Sequence, residues 1–131
     1  MSAFRKKLGE VCLRPRMYVG RADFKLAAAF LSGYEFAIDE LCPDQKGCGL
    51  SGFTPWLAVH LDSCVRSGWD EILLHEEVGP DKFEALLRLY DEFSRDRAEK
   101  GLQAIRDDYE RLVERVFRKE RNRVCWCEQR G

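Results

Sequence analysis

The chain has 131 residues, 45% of them hydrophobic and 34% charged, with 22 Lys and Arg against 23 Asp and Glu. That is the length of one ordinary domain with apolar side chains enough for a core, which excludes wholesale disorder, a Rossmann pair and a TIM barrel. No apolar run approaches the roughly 20 residues that span a bilayer, and no apolar stretch follows Arg5, Lys6 and Lys7 as in a signal peptide, so a soluble, cytoplasmic protein is expected.

In chain order, Phe4, Leu8, Val11 and Cys12 fall on one helical face, and Arg14-Pro15 should end that helix. The stretch after it reads as a loop. Asp23 is placed to cap a helix from Phe24 to Leu41, whose apolar positions Ala27, Phe30, Leu31, Tyr34, Ala37, Ile38 and Leu41 recur at three and four. Cys42 to Phe53 contains Pro43, Gly47, Gly49 and Gly52 without any period, and reads as a long, flexible loop.

Thr54-Pro55 has the form of a cap followed by proline at the first helical position. Trp56, Leu57, His60, Leu61 and Cys64 continue as one stripe, and Gly68 is expected to close that helix in the left-handed conformation. A short helix at Trp69, Ile72 and Leu73 should follow, broken by Gly79-Pro80. Asp81-Lys82-Phe83-Glu84 resembles a capping box and opens a helix with Phe83, Leu86, Leu87, Tyr90 and Phe93 inward. The last helix has Leu102, Ile105, Tyr109, Leu112 and Val116 on one stripe, too short for a coiled coil and expected to pack on its own domain. No stretch alternates like a strand, and Met17-Tyr18-Val19 is too short to found a sheet. The expectation is a mainly α, single-domain bundle of five to six helices over 1–131, with little or no sheet and a mobile tail at 122–131.

Charge is distributed unevenly. The net charge is +5 over Met1 to Tyr34, −9 over Glu35 to Ser94 and +3 over Arg95 to Gly131. An acidic middle between basic ends either faces a basic partner or pairs with the ends of the same chain. Six cysteines without a secretory signal point to reduced thiols rather than disulfides. Cys42 and Cys48, and Cys125 and Cys127, lack the C-x-x-C spacing of a zinc knuckle, so neither metal nor cofactor is expected.

Few residues suggest catalysis. His60 lies on an apolar stripe, and a Cys64 and His60 dyad at i, i+4 lacks an identifiable oxyanion hole or orienting group. Arg111, Arg115 and Arg118 share a face that Lys119, Arg121 and Arg123 continue, but Glu110, Glu114, Glu120 and Glu128 dilute it into a salt-bridged outer face. Nucleic acid is therefore the less favoured partner.

Arg14-Pro15-Arg16-Met17-Tyr18-Val19-Gly20 matches a segment of gyrase-type ATPase domains, but the chain is too short for that fold and lacks its glycine-rich ATP motifs. A wider similarity continues through Phe30-Leu31-Ser32-Gly33-Tyr34-Glu35-Phe36-Ala37, Gly52-Phe53-Thr54-Pro55-Trp56-Leu57-Ala58, Ser67-Gly68-Trp69-Asp70, and Phe83-Glu84-Ala85-Leu86-Leu87-Arg88-Leu89-Tyr90-Asp91-Glu92-Phe93. From Arg14 to Phe93 the chain resembles small bacterial candidate immunity proteins of polymorphic toxin systems. Arg16 stands where glycine is common, and the cysteine-bearing loop and basic C-terminal helix lie outside the resemblance.

The shared residues read as scaffold: Pro15, Gly20, Gly33, Gly52 and Gly68 set turns, and Tyr34, Trp56, Trp69, Tyr90 and Phe93 fill space. The resemblance implies a non-enzymatic inhibitor of a cognate, basic toxin. Its acidic surface is expected among Asp39, Glu40, Asp44, Glu76, Glu77, Asp91 and Glu92. The alternative is a regulatory or nucleic-acid-associated helical domain that uses the basic C-terminal helix.

Overall fold

The structure, a computed structural model, describes residues 2–65 and 67–130, with side chains described as far as Lys119. The expectations for the tail 122–131 and for Cys125 and Cys127 fall outside the described side chains. Ser2 accepts a hydrogen bond from the Arg5 amide and opens α1 (Ala3–Leu13), which buries Phe4, Leu8 and Val11 as their spacing predicts. Pro15 does not begin a loop. It takes the first position of a short helix, α2 (Pro15–Val19), where its missing N–H costs nothing, and the break falls at Arg14 (φ −137°, ψ 63°).

Asp23 caps α3 (Phe24–Leu41) by accepting from the Leu26 amide at 3.1 Å. Phe24, Ala27, Ala28 and Leu31 face inward. A 3₁₀ turn (Pro43–Gln45) follows, and then α4 (Phe53–His60), α5 (Trp69–His75) and α6 (Lys82–Arg130). There is no strand among the described residues. The architecture is mainly α, one helical domain around a continuous core.

Both ends of α4 differ from expectation for identifiable reasons. Its N-cap is Gly52, at φ 87°, one residue before Phe53. The Thr54 hydroxyl accepts instead from the Trp69 amide at 3.1 Å, tying α4 to α5. At the other end the helix stops at His60, eight residues before Gly68. Asp62 adopts the left-handed conformation (φ 48°), and the Ser63 and Asp62 amides donate back to the carbonyls of Ala58 (2.9 Å) and Val59 (3.2 Å). This is a Schellman closure with aspartate in the place glycine usually takes. Gly68 is extended (φ −69°, ψ 174°) and precedes α5.

α6 turns at Gly101, whose φ 85° and ψ 162° only glycine adopts readily. Asp96 and Asp108 would stand about 18 Å apart on a straight helix. Here both line one small cleft with Trp56, Val59, His60, Lys100 and Ile105. The two arms of α6 therefore enclose α4. Phe93 from the first arm and Leu102 from the second both approach Gly52, where a Cβ would collide with Leu102 Cδ1. Ile105 and Leu112 are buried, so the last helix packs on its own domain.

Candidate functional site

The seven acids singled out in the sequence occupy separate places. Asp39, Glu40 and Asp44 cluster at the C-terminal end of α3 and the following turn. Glu76 and Glu77 follow α5, which reaches the other end of α3 through Lys25 with Glu71 and Phe24 against Trp69. Along α3, Lys25 and Glu40 are about 22 Å apart. Asp91 is taken by Arg5, whose Nε and Nη2 donate to its two oxygens at 2.7 and 3.1 Å. Glu92 lies 3.3 Å from His60 Nε2. The fold thus leaves two separate acidic regions and uses Asp91, through Arg5, to hold α1 against α6.

Part of the charge asymmetry is answered inside the chain. Arg5 pairs with Asp91, Lys25 with Glu71, and Arg115 with Asp62 at 2.6 Å. The described part of the basic face of α6 is paired at three arginines, Arg115 and two more: Arg111 donates to Asp108, and Arg118 donates to Glu114 at 2.6 Å.

The α5–α6 corner is a concave acidic region. Between Asp70 and Glu84 the chain carries six carboxylates and one lysine. Leu74, His75, Glu76, Glu77, Gly79, Pro80 and Lys82 line an open cleft of about 420 Å³ there. Lys82, its one cation, donates to the Glu76 carbonyl at 3.0 Å, and Arg88 donates to Glu84 and to the Val78 carbonyl. These bonds fix the corner's backbone while the Glu77 carboxylate stays exposed. With Glu76 and Glu77 against Lys82, the cleft keeps a net negative charge, and a concave surface with an excess of one sign focuses its field on an approaching cation.

The loop after α3 is anchored in a way no local signal announces. Arg97 Nη1 donates to the carbonyls of Gly47, Gly49 and Ser51, and Nη2 donates to that of Cys48, at 3.0–3.2 Å. The Tyr90 hydroxyl adds bonds to Cys48 and Gly49. Glu35 accepts from the Leu50 amide, and burial pushes its carboxyl above the ordinary range. The expected flexible loop is a clamped one, because its polar backbone is satisfied by side chains from α3 and α6.

Cys64 lies beyond the end of α4 and is exposed, so it shares no helix face with His60. His60 instead stacks on Trp56 with ring centroids 4.5 Å apart. Cys42 and Cys48 are free thiols, and among the described residues no group of His, Cys, Asp and Glu is arranged to hold a metal ion. Among the described residues no helix is long and apolar enough to cross a membrane. No protein-family model matches the chain, and comparison with curated proteins and with solved structures finds no significant match.

Proposed function

We propose that this chain is a non-enzymatic binding protein of the bacterial cytoplasm that neutralises a cognate toxin by covering a basic surface on it. The observation that carries the reading is the acidic cleft at the α5–α6 corner, where Glu76 and Glu77 stand on backbone fixed by Lys82 and Arg88. A preformed surface with an excess of negative charge raises the rate of encounter with a positively charged partner and needs little ordering on binding. The toxin as the partner follows from the four ordered blocks that resemble immunity proteins. The pairing of Arg111, Arg115 and Arg118 with acids supports this reading over a phosphate-binding role for α6.

The test is capture of partners from the native cell on the tagged chain at low and at moderate salt. One dominant protein should remain at moderate salt. Expressed alone it should arrest growth, and co-expression of this chain should restore it. Recovery of nucleic acid alone, released as salt rises, overturns the proposal in favour of a nucleic-acid-associated domain.

A further inference from the structure

The outward face of α3 carries no charge over most of its length. Its exposed residues between Lys25 and Glu40 are Leu26, Ala29, Ser32, Gly33, Phe36 and Ala37, in a chain that is 34% charged. Phe36 is 69% exposed, and Leu41, just beyond Glu40, is 80% exposed. The two acids within this stretch, Glu35 and Asp39, turn aside to accept from the Leu50 and Gly47 amides. A solvent-facing helix surface is ordinarily polar, and a contiguous apolar one marks an interface.

Gly33 lies at the middle of this face. A Cβ there would meet nothing within 4 Å, so packing within the chain does not demand glycine. Yet glycine inside a helix costs about 1 kcal/mol relative to alanine. With Ala29 and Ala37 one turn to either side, it leaves a shallow track along which a second helix can come close.

The ends of the face say what lies on it. Arg21 and Lys25 stand at its start, and Glu40 and Asp44 stand at its finish. Lys25 shares Glu71, whereas Arg21, Glu40 and Asp44 make no ion pair among the described residues. We propose that this face is the interface of a homodimer, with two copies of α3 antiparallel about a two-fold axis near Gly33. That arrangement sets Ala29 opposite Ala37 and places Arg21 and Lys25 of each copy beside Glu40 and Asp44 of the other. Every charge match occurs twice, as an isologous interface requires, and the helix dipoles oppose. A helix of 18 residues is about 27 Å long, so the contact lies at the small end of interface sizes and the dimer is reversible. The α5–α6 cleft is a separate surface, so this inference does not depend on the toxin reading.

Sedimentation of the full chain from micromolar to near-millimolar concentration tests it. The mass should rise from 15.3 kDa toward twice that value. Gly33→Leu blocks the close approach while improving helix propensity, and should weaken dimerisation about tenfold or more with the melting temperature retained. Asp44→Arg should weaken it as well, and adding Arg21→Glu, the facing position in the other copy, should restore it. Monomeric mass at every concentration overturns the proposal. So does a dimer indifferent to Gly33→Leu, or a charge swap that fails to rescue.

Discussion

Arg97 Nη1 lies 3.0 Å from the carbonyl oxygen of Gly49, one of four loop carbonyls that its guanidinium joins. Its Cζ also sits 4.7 Å from the centre of the Phe93 ring. Arg97→Met keeps the stem against Phe93 and removes the donors. The loss should cost about 2–3 kcal/mol and lower the melting temperature by about 10 °C. Amide exchange of residues 47–52 should quicken at the same time, and unchanged protection there counts against the clamp.

Glu35 sets the expected pH dependence. Desolvation raises its carboxyl above 4.5, outweighing the bond from the Leu50 amide and the nearby Arg97. The folded chain therefore holds this proton to higher pH than the unfolded chain does. The associated stability is fully present below the ordinary glutamate value and is lost as pH rises through the raised one. Glu35→Gln retains a carbonyl acceptor for Leu50. It should flatten the thermal-melt profile over that window and match or exceed the native protein at neutral pH; a lower melting temperature there contradicts the assignment.

Two glycines with open space around them should respond in opposite directions. A Cβ at Gly33 or at Gly101 meets nothing within 4 Å, but only Gly101 has a positive φ, 85°. Gly33→Ala should stabilise the chain by about 0.5–1 kcal/mol in urea unfolding at low protein concentration. Gly101→Ala should destabilise it by about 1–3 kcal/mol. Equal effects at the two sites are incompatible with the turn described for α6.

For the toxin reading, the half-buried Glu76 and exposed Glu77 of the α5–α6 corner predict a kinetic signature. Glu76→Lys with Glu77→Lys should slow association with the captured basic partner by about tenfold at low salt and change dissociation little. Stopped-flow or surface-based kinetics at two salt concentrations separate the two rates. An effect confined to dissociation points to a direct contact rather than steering.

The thiols should divide by environment. Burial pushes the Cys12 thiol up to about 12, so at pH 8 only about one molecule in 10⁴ carries the reactive thiolate. Cys48 and Cys64 are exposed. Iodoacetamide followed by peptide mapping should find Cys48 and Cys64 alkylated in the native protein and Cys12 only after unfolding.

The helices that bury one regular stripe were legible in the sequence: α1, α3, α5 and both arms of α6 stand where their apolar spacing and caps put them. α2 escaped because five residues are too few for a period, and the end of α4 because an aspartate, Asp62, does the work expected of Gly68. The site was legible only where its residues are neighbours in sequence. Glu76 and Glu77 remain together, whereas the engagement of Asp91 by Arg5 and of the 47–51 carbonyls by Arg97 joins positions dozens of residues apart. Local chemistry gives no hint of such pairings.

The enclosure of α4 by both arms of α6 bears on how the chain folds as it is made. An eight-residue helix is too short to persist in water unaided. The side chains that cover it on one flank, Leu102 and Ile105, are synthesised roughly 50 residues later, an interval of about 3–10 s at ordinary elongation rates. During that interval Trp56 and Leu57 have no lasting burial against the second arm. One flank of α4 is therefore covered only late in translation, by the arm that carries Ile105 and Leu112, and a chain stopped at Gly101 should be a client for chaperones.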